Sequence, residues 1–182
     1  MEGPRAGAGW MPEFRARFDA WWPAARPLIE AHAFSQAFAT YPWVTFDDVP
    51  WAPVTRPLAA MRIAMVTTAG LYREGVDAPF MAEAVDGDAG YRALPRHAPP
   101  ESLRVSHVHF NREVAEADVN TVFPIDRLTE MERAGEIGSV APTHYSIMGY
   151  APRAADLAGQ TAPAIARSMR AEGVDAALLV PV

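Results

Sequence analysis

The sequence MRIAMVTTAGLY at residues 61–72 combines a continuous apolar segment with two threonines and a glycine. A short segment that is apolar on both faces is typical of a strand buried in a parallel sheet. Gly70 marks the turn that ends this strand. The sequence AALLVPV at residues 176–182 has the same apolar character and follows Gly173, which can close a helix. These two segments predict a parallel sheet.

Strand and helix patterns alternate between those two segments. Residues 90–95 (GYRALP) and 103–110 (LRVSHVHF) are predicted strands. Residues 123–135 and 161–173 each begin with a proline in the first turn and end in glycine, as helices do. This alternation predicts an α/β fold with three layers and a mostly parallel sheet, similar to flavodoxin-like or Rossmann-like proteins.

The first third of the chain has a different pattern. Apolar and aromatic residues recur at helical spacing from residue 12 to residue 41, and Pro23 and Pro27 favour two helices over one. A proline-rich connection follows. We therefore expect an aromatic-rich, helical and proline-rich extension at residues 1–60 and an α/β domain at residues 61–182.

Composition excludes several classes of function. The chain has no cysteine and no lysine, which excludes disulfides, thiolate nucleophiles, Schiff-base lysines and the P-loop lysine. A net charge of -6 makes nucleic acid an unsuitable partner. No apolar run approaches the ~20 residues of a membrane span, and the N-terminus lacks the apolar core of a signal peptide, so we expect a cytoplasmic protein. A single glycine after the strand at residue 61 argues against a dinucleotide site.

Histidines provide the candidate chemistry. On a strand, His107 and His109 would project from one face about 6–7 Å apart, as two metal ligands or a paired acid and base do. Asp118, Asn120 and His144 are expected to complete the site. Three alternatives stay open: half-buried structural histidines hydrogen-bonded to neighbouring loops, a polar organic site, or a zinc or iron site at His107, His109 and His144.

Substrate contacts are expected from the loop after the strand at residue 61 and from two further side chains. Arg92 could bind a carboxylate through two parallel hydrogen bonds, and Tyr145 offers a hydroxyl group. The expected substrate-binding residues are Thr67, Thr68, Gly70, Arg92 and Tyr145.

Five motifs in this order resemble the selenoprotein B family of glycine, sarcosine and betaine reductases, which includes relatives of the selenocysteine subunit of D-proline reductase. The resemblance covers about residues 61–182, and its longest motif is the most specific. The motifs are RIAMVTTAGLY, GDAGYRALP, VSHVHFN, DVNTVFPIDRLTEMERAGEIGSVAPTHYSIMGY and GVDAALLVPV.

The resemblance implies an oxidoreductase that cleaves a carbon–nitrogen bond of a small amino-acid-type substrate. In the family a selenocysteine or cysteine attacks the substrate, and a pyruvoyl group on a separate subunit activates the substrate amine. The redox residue is expected directly after the strand that here reads LLVPV, and this chain contains none. His107 or His109 would then deliver a proton to the departing amine, and Arg92 would bind the substrate carboxylate.

Several hypotheses stay open at this point. A UGA codon read as selenocysteine could follow Val182, or the chain could be a truncated, non-catalytic paralogue or interaction subunit. Sequencing the DNA after the Val182 codon distinguishes these two hypotheses. A metal-binding, hydrolase-like protein is the third hypothesis. Partners are expected to be a pyruvoyl-bearing subunit or a second copy of this chain, because an uncovered sheet would favour association.

Overall fold

The fold is described by a computed structural model that covers residues 10–43, 52–108 and 110–182. The chain divides into two compact units, Met1–Val54 and Thr55–Val182. Within the described ranges, no helix combines the length and the apolar character that crossing a membrane requires.

The first unit contains two helices, α1 at Trp10–Glu30 and α2 at Phe34–Phe38. Two helices were predicted, but the break does not lie at the prolines, because Pro23 and Pro27 both sit inside α1. The chain instead turns at His32, whose φ of 57° lies in the left-handed region. Aromatic side chains hold the two helices together. The Nε1 of Trp21 also donates a hydrogen bond to the carbonyl oxygen of Ala37 at 3.2 Å.

The second unit is built on a five-stranded, mostly parallel sheet. The strands of the unit are β1 (Arg62–Thr67), β2 (Leu71–Arg73), β3 (Tyr91–Pro95), β4 (Leu103–Val105), β5 (Ser139–Val140), β6 (Thr143–Ile147) and β7 (Ala176–Val180). β1 pairs in parallel with β5 and β6 on one side and with β7 on the other, and β3 pairs antiparallel with β6. β2 and β4 form a separate antiparallel pair.

Helices cover both faces of this sheet. They are α3 (Glu113–Ala117), α4 (Ile125–Ala134), α5 (Ala154–Asp156) and α6 (Ala162–Ala171), with a π-helical segment at Leu157–Thr161 between the last two. Met65 of β1 belongs to a buried cluster with Leu128 of α4, whereas Ala64 belongs to a second cluster with Ile165 of α6. Adjacent residues of one strand therefore face opposite helices, which confirms the predicted α/β fold. The finer flavodoxin-like or Rossmann-like strand order stays a prediction.

β7 has a sequence that is typical of a buried strand, although an uncovered sheet face was also expected there. It lies at the edge of the sheet, where Leu178 is 41% exposed and Leu179 is 69% exposed. An apolar sequence on both faces indicates that contact with water is unfavourable for the strand. It does not indicate which element of the fold covers the strand.

Candidate active site

The carboxyl ends of β1, β6 and β7 meet at Thr68, the first residue after β1. Its backbone N–H donates to the carbonyl oxygen of Val180 at 3.1 Å, and its own carbonyl oxygen accepts from the N–H of Gly149 at 2.9 Å. Its Oγ1 accepts from the N–H of Val182 at 2.8 Å. In open α/β sheets this carboxyl edge is where ligands bind.

Gly70 holds a second segment against the same edge. Its φ of 67° lies in the left-handed region, and a Cβ at this position would lie 2.6 Å from the carbonyl oxygen of Ser106. Its N–H donates to the carbonyl oxygen of Ile147 at 3.0 Å, and its own carbonyl oxygen accepts from the N–H of Ser106 at 2.9 Å. The close approach of two backbones therefore fixes the segment that carries His107.

His107 is buried at this edge, with 4% of its surface exposed. A Cβ at Gly149 would lie 3.4 Å from Oγ1 of Thr68 and 3.5 Å from Nε2 of His107. Gly149 therefore stands between a hydroxyl group and an imidazole. The ring of Phe110 packs beside the imidazole at 5.1 Å between centroids. Of the predicted site residues, the structure thus brings together Thr68, Gly70 and His107.

The predicted strand at residues 103–110 is wrong in its length. β4 ends at Val105, where its last register partner is Leu71 of β2, so His107 lies in a loop. The partner strand is short because the turn at Gly70 begins immediately before it. The expectation that His107 and His109 share one face of a strand therefore fails for His107. His109 itself lies outside the described residues.

His144 has a different environment, inside a bulge of the sheet. Between the register pairs Ile63–Val140 and Val66–Tyr145, β1 advances by three residues and its neighbour advances by five. The N–H of Met65 consequently bonds to Nδ1 of His144 at 3.0 Å. The imidazole proton is then on Nε2, which is buried and has no hydrogen-bond partner among the described residues.

This environment disfavours the charged form of His144. Burial lowers its pKa from 6.5 to about 4, and the nearby positive charge of Arg96 adds to the effect. At neutral pH the side chain is a neutral hydrogen-bond acceptor for the backbone of β1. The role of His144 in proton transfer stays a prediction, whereas its hydrogen bond with the backbone of Met65 holds the sheet together.

Stability should fall as the pH drops from 7 to 4, and His144 should account for a large part of the fall. Because its folded-state pKa lies below its unfolded-state pKa, the unfolded chain binds more protons in this range. One pKa unit corresponds to about 1.4 kcal/mol, so this group should remove up to about 3 kcal/mol from the free energy of unfolding.

Urea denaturation across this pH range measures the effect, with His144→Gln as the comparison. The variant should be less stable than the wild type at pH 7 but should lose less stability towards pH 4. Parallel pH curves for the two proteins would contradict the assignment.

Thr67 and Tyr145 project to opposite faces of the sheet. Oγ1 of Thr67 donates to the carbonyl oxygen of Val122 at 2.7 Å on the α4 face. Tyr145 is buried on the α6 face with Ile165 and Met169, and burial raises the pKa of its hydroxyl group. Their predicted substrate contacts stay predictions, and both side chains pack within the fold.

Arg92 has intramolecular partners around its guanidinium group. Nε donates to the carbonyl oxygen of Ala78 at 2.7 Å, and Nη2 donates to that of Pro79 at 3.1 Å and to Asp88 at 3.3 Å. The group also lies 4.0 Å above the ring of Phe80. The predicted carboxylate contact stays a prediction, while these bonds anchor the loop at residues 78–88.

Asp118 caps the 3₁₀-helical turn at Val119–Thr121, and Asn120 caps the start of α4. Oδ1 of Asp118 accepts from the backbone and side-chain nitrogens of Asn120 at 2.9 and 3.0 Å, and these bonds lower its pKa. Oδ1 of Asn120 accepts from the N–H of Asp126 at 3.0 Å. This network satisfies a backbone donor of the helix N-terminus. Their predicted catalytic roles are not tested by this geometry.

Sequence reasoning missed Gly149 as part of the site. Gly149 directly follows the segment THYSIM, which contains β6. Gly70 similarly lies shortly after the end of β1. A glycine immediately beyond the carboxyl end of a buried strand was therefore the available signal. Among the described residues, no group of three or more His, Cys, Asp or Glu could hold a metal ion. Because His109 is outside that set, the three-histidine metal site stays a prediction.

Comparison with known proteins identifies the family. The profile of glycine/sarcosine/betaine reductase selenoprotein B matches residues 28–182. D-proline reductase subunit gamma of Acetoanaerobium sticklandii is 35% identical over 129 residues, which are 71% of this chain and 52% of that protein. Glycine reductase complex component B subunit gamma of Carboxydothermus hydrogenoformans is 30% identical over 139 residues, which are 76% of this chain and 32% of that protein.

The chain thus aligns with about half of the first relative's length and about a third of the second's. No solved structure matches it at a significant level. The family profile covers most of the chain, and its matched region includes all the residues assembled at Thr68. This chain belongs to the glycine/sarcosine/betaine reductase selenoprotein B family.

Proposed function

We propose that this chain is a substrate-binding component of a reductase that cleaves the carbon–nitrogen bond of a small amino-acid-type substrate. Two of its relatives support this class, because they are named as subunits of D-proline reductase and of the glycine reductase complex. The reaction site is the carboxyl edge of β1, β6 and β7, where Thr68, His107 and Gly149 lie.

The observation that carries the proposal is the hydrogen bond from the N–H of Val182 to Oγ1 of Thr68 at 2.8 Å. It directs the carboxyl end of β7 to the edge at which His107 is buried. A nucleophile presented near that point would have an imidazole and a hydroxyl group beside it. Such a constellation of an attacking atom and a proton carrier is what nucleophilic catalysis requires.

The chemistry divides between this chain and a group outside its 182 residues. Because the sequence has no cysteine, a thiolate or selenolate from outside it forms the new bond to the substrate carbon. The carbon–nitrogen bond breaks as that bond forms, and its electron pair moves to the nitrogen. His107 in its protonated form gives the departing nitrogen a proton. The products of this step are an amine and a thioether or selenoether.

A pyruvoyl-bearing subunit is the proposed partner that activates the substrate amine. A primary amine is a poor leaving group, so conjugating its nitrogen to an electron-withdrawing carbonyl group lowers the barrier to cleavage. The relatives are named as subunits of larger assemblies, which supports a need for partner chains.

Gly149→Ala tests the site without removing a polar group. The new Cβ would lie 3.3 Å from the carbonyl oxygen of Thr68 and 3.5 Å from Nε2 of His107, which is tight but requires only small shifts. In the reconstituted reductase we expect turnover to fall about ten-fold or more, because a misplacement of this size disturbs the alignment of reacting groups. Unfolding in urea should change by about 1 kcal/mol or less.

Gly75→Ala is the matched control. No atom lies within 4 Å of the Cβ that it introduces, and the residue is outside the edge at Thr68. Its turnover should stay within about two-fold of the wild type after correction for folded protein. Equal turnover of Gly149→Ala and Gly75→Ala would reject the proposed site.

A further inference from the structure

The outer side of β7 is an unpaired sheet edge. β7 pairs with β1 on one side, and no other strand that the structure describes pairs with it. The carbonyl oxygen of Val180 accepts from the N–H of Thr68, so Val180 directs its backbone groups towards β1. Backbone groups alternate in direction along a strand. Ala177 and Leu179 therefore direct their N–H and C=O groups away from β1, to the outside of the sheet.

The strand at this edge lacks the features that usually keep a sheet edge from pairing. Such strands normally carry a charged side chain, a bulge or a proline. β7 has the sequence AALLV, and its register with β1 continues without interruption from Ala176 to Val180. Pro181 lies beyond the strand, and Leu179 keeps most of its side chain exposed. The edge is therefore suited to accept another strand.

We propose that two copies of this chain associate through this edge, with their β7 strands antiparallel and Leu178 on the two-fold axis. Ala177 of one copy then lies opposite the partner's Leu179, so a small side chain meets a large one in both such pairs. Both residues direct their backbone groups outwards, and each pair therefore exchanges both N–H···O bonds. Leu178 and the partner's Leu178 form the non-hydrogen-bonded pair between them. The edge is thus complementary to itself, as a two-fold interface requires.

Neighbouring registers are less favourable than the one centred on Leu178. Placing Ala177 on the axis sets Leu179 opposite Asp175, whose N–H already donates to a carbonyl oxygen of β1 at 2.9 Å. Placing Leu179 on the axis sets Ala177 opposite Pro181, which has no N–H. Only the register centred on Leu178 pairs every outward N–H and C=O of Ala177 and Leu179.

Charge and area set the strength of this dimer. The chain has a net charge of -6, so two copies repel each other over much of their surface. Residues 176–182 carry no charged side chain, and the adjacent Asp175 is paired with Arg56 at 3.1 Å. The edge therefore brings no uncompensated like charges together. A strand of this length spans about 17 Å, which is too short to bury the roughly 1,200 Å² of a stable interface. The dimer should consequently be weak and depend on concentration.

Single cysteines test the register directly, because the chain has no cysteine of its own. Leu178→Cys places two thiols opposite each other at a Cα separation of about 4.5 Å, which a disulfide can span. Leu179→Cys is the matched control. Its position is more exposed, but its counterpart in the partner lies further along the strand, beyond the reach of a disulfide. Under mild oxidation of the full chain, Leu178→Cys should form the disulfide-linked dimer about ten-fold or more faster than Leu179→Cys.

Sedimentation velocity measures the association without a cross-link. From about 10 to 500 µM the wild type should shift from the mass of one chain towards that of two. Leu179→Lys should raise the dissociation constant about ten-fold or more, because it replaces the apolar contact with the partner by a charge. Val76→Lys is the control, since Val76 is also 69% exposed and lies outside the sheet. It should stay within about two-fold of the wild type.

Three results would overturn the inference. The first is a mass of one chain at every concentration. The second is equal cross-linking of Leu178→Cys and Leu179→Cys, which would indicate random collision. The third is equal association of Leu179→Lys and Val76→Lys, which would place the interface elsewhere. Because turnover is not measured, these outcomes are separate from the test of the proposed function with Gly149→Ala.

Discussion

Gly70→Ala is expected to destabilise the second unit by about 3–5 kcal/mol. An alanine at a φ of 67° costs about 1–2 kcal/mol in backbone strain alone. The larger part comes from its Cβ, which would lie 2.6 Å from the carbonyl oxygen and 3.2 Å from the carbonyl carbon of Ser106. Both atoms are backbone, so a rotamer change cannot relieve the contact. The hydrogen bond between Ser106 and Gly70 should be lost as the two segments separate.

Urea denaturation of Gly70→Ala and Gly75→Ala separates the two contributions. Gly75 has a φ of 75°, close to that of Gly70, but its Cβ would meet no atom within 4 Å. It should therefore show the strain alone, a loss of about 1–2 kcal/mol. If the two variants were equally destabilised, the close approach of the segment at Ser106 would not hold in solution.

His107→Ala is expected to reduce turnover of the reconstituted reductase by about 10²–10⁴-fold. The imidazole is buried beside Thr68 and Gly149 at the edge to which β7 leads, so solvent is a poor substitute for it as a proton donor. Release of the amine product measures the effect. His107→Gln should be almost as impaired, since an amide can donate a hydrogen bond but cannot give up a proton at neutral pH.

The control variant for this experiment is His97→Gln. His97 is exposed and lines a separate cleft with Arg62 and Pro95, at the start of β1 and the end of β3. Its turnover should remain within about two-fold of the wild type. If His107→Gln retained more than about half of wild-type turnover while folding normally, a role for His107 in proton transfer would be wrong.

Much of the fold could be predicted from the spacing of apolar residues and from the glycines and prolines at the ends of helices and strands. The helix α4 ends as expected, with Gly135 in the left-handed region at a φ of 73°. β3 covers the predicted residues up to Pro95. In both cases the signal is local, because a glycine or proline acts on the backbone of its own segment.

Features that depend on a partner strand could not be predicted in this way. The length of β4 is set by β2, and the bulge at His144 is set by the register of β1. Asn120 was predicted to be a site residue because it follows the two histidines closely in the sequence. Its side-chain oxygen accepts a hydrogen bond from the N–H of Asp126, which lies six positions further along the chain, across a turn.

The pairing of β1 with β7 has a consequence for the order of folding. Ile63 pairs with Ala176, so the two strands join residues that lie more than a hundred positions apart. Contacts of such long sequence separation form slowly, because most of the chain must be ordered before they close. The contacts around His107 at the carboxyl edge of β7 would then form in the last step of folding, and the amide protons of β7 should gain protection from exchange later than those of β6.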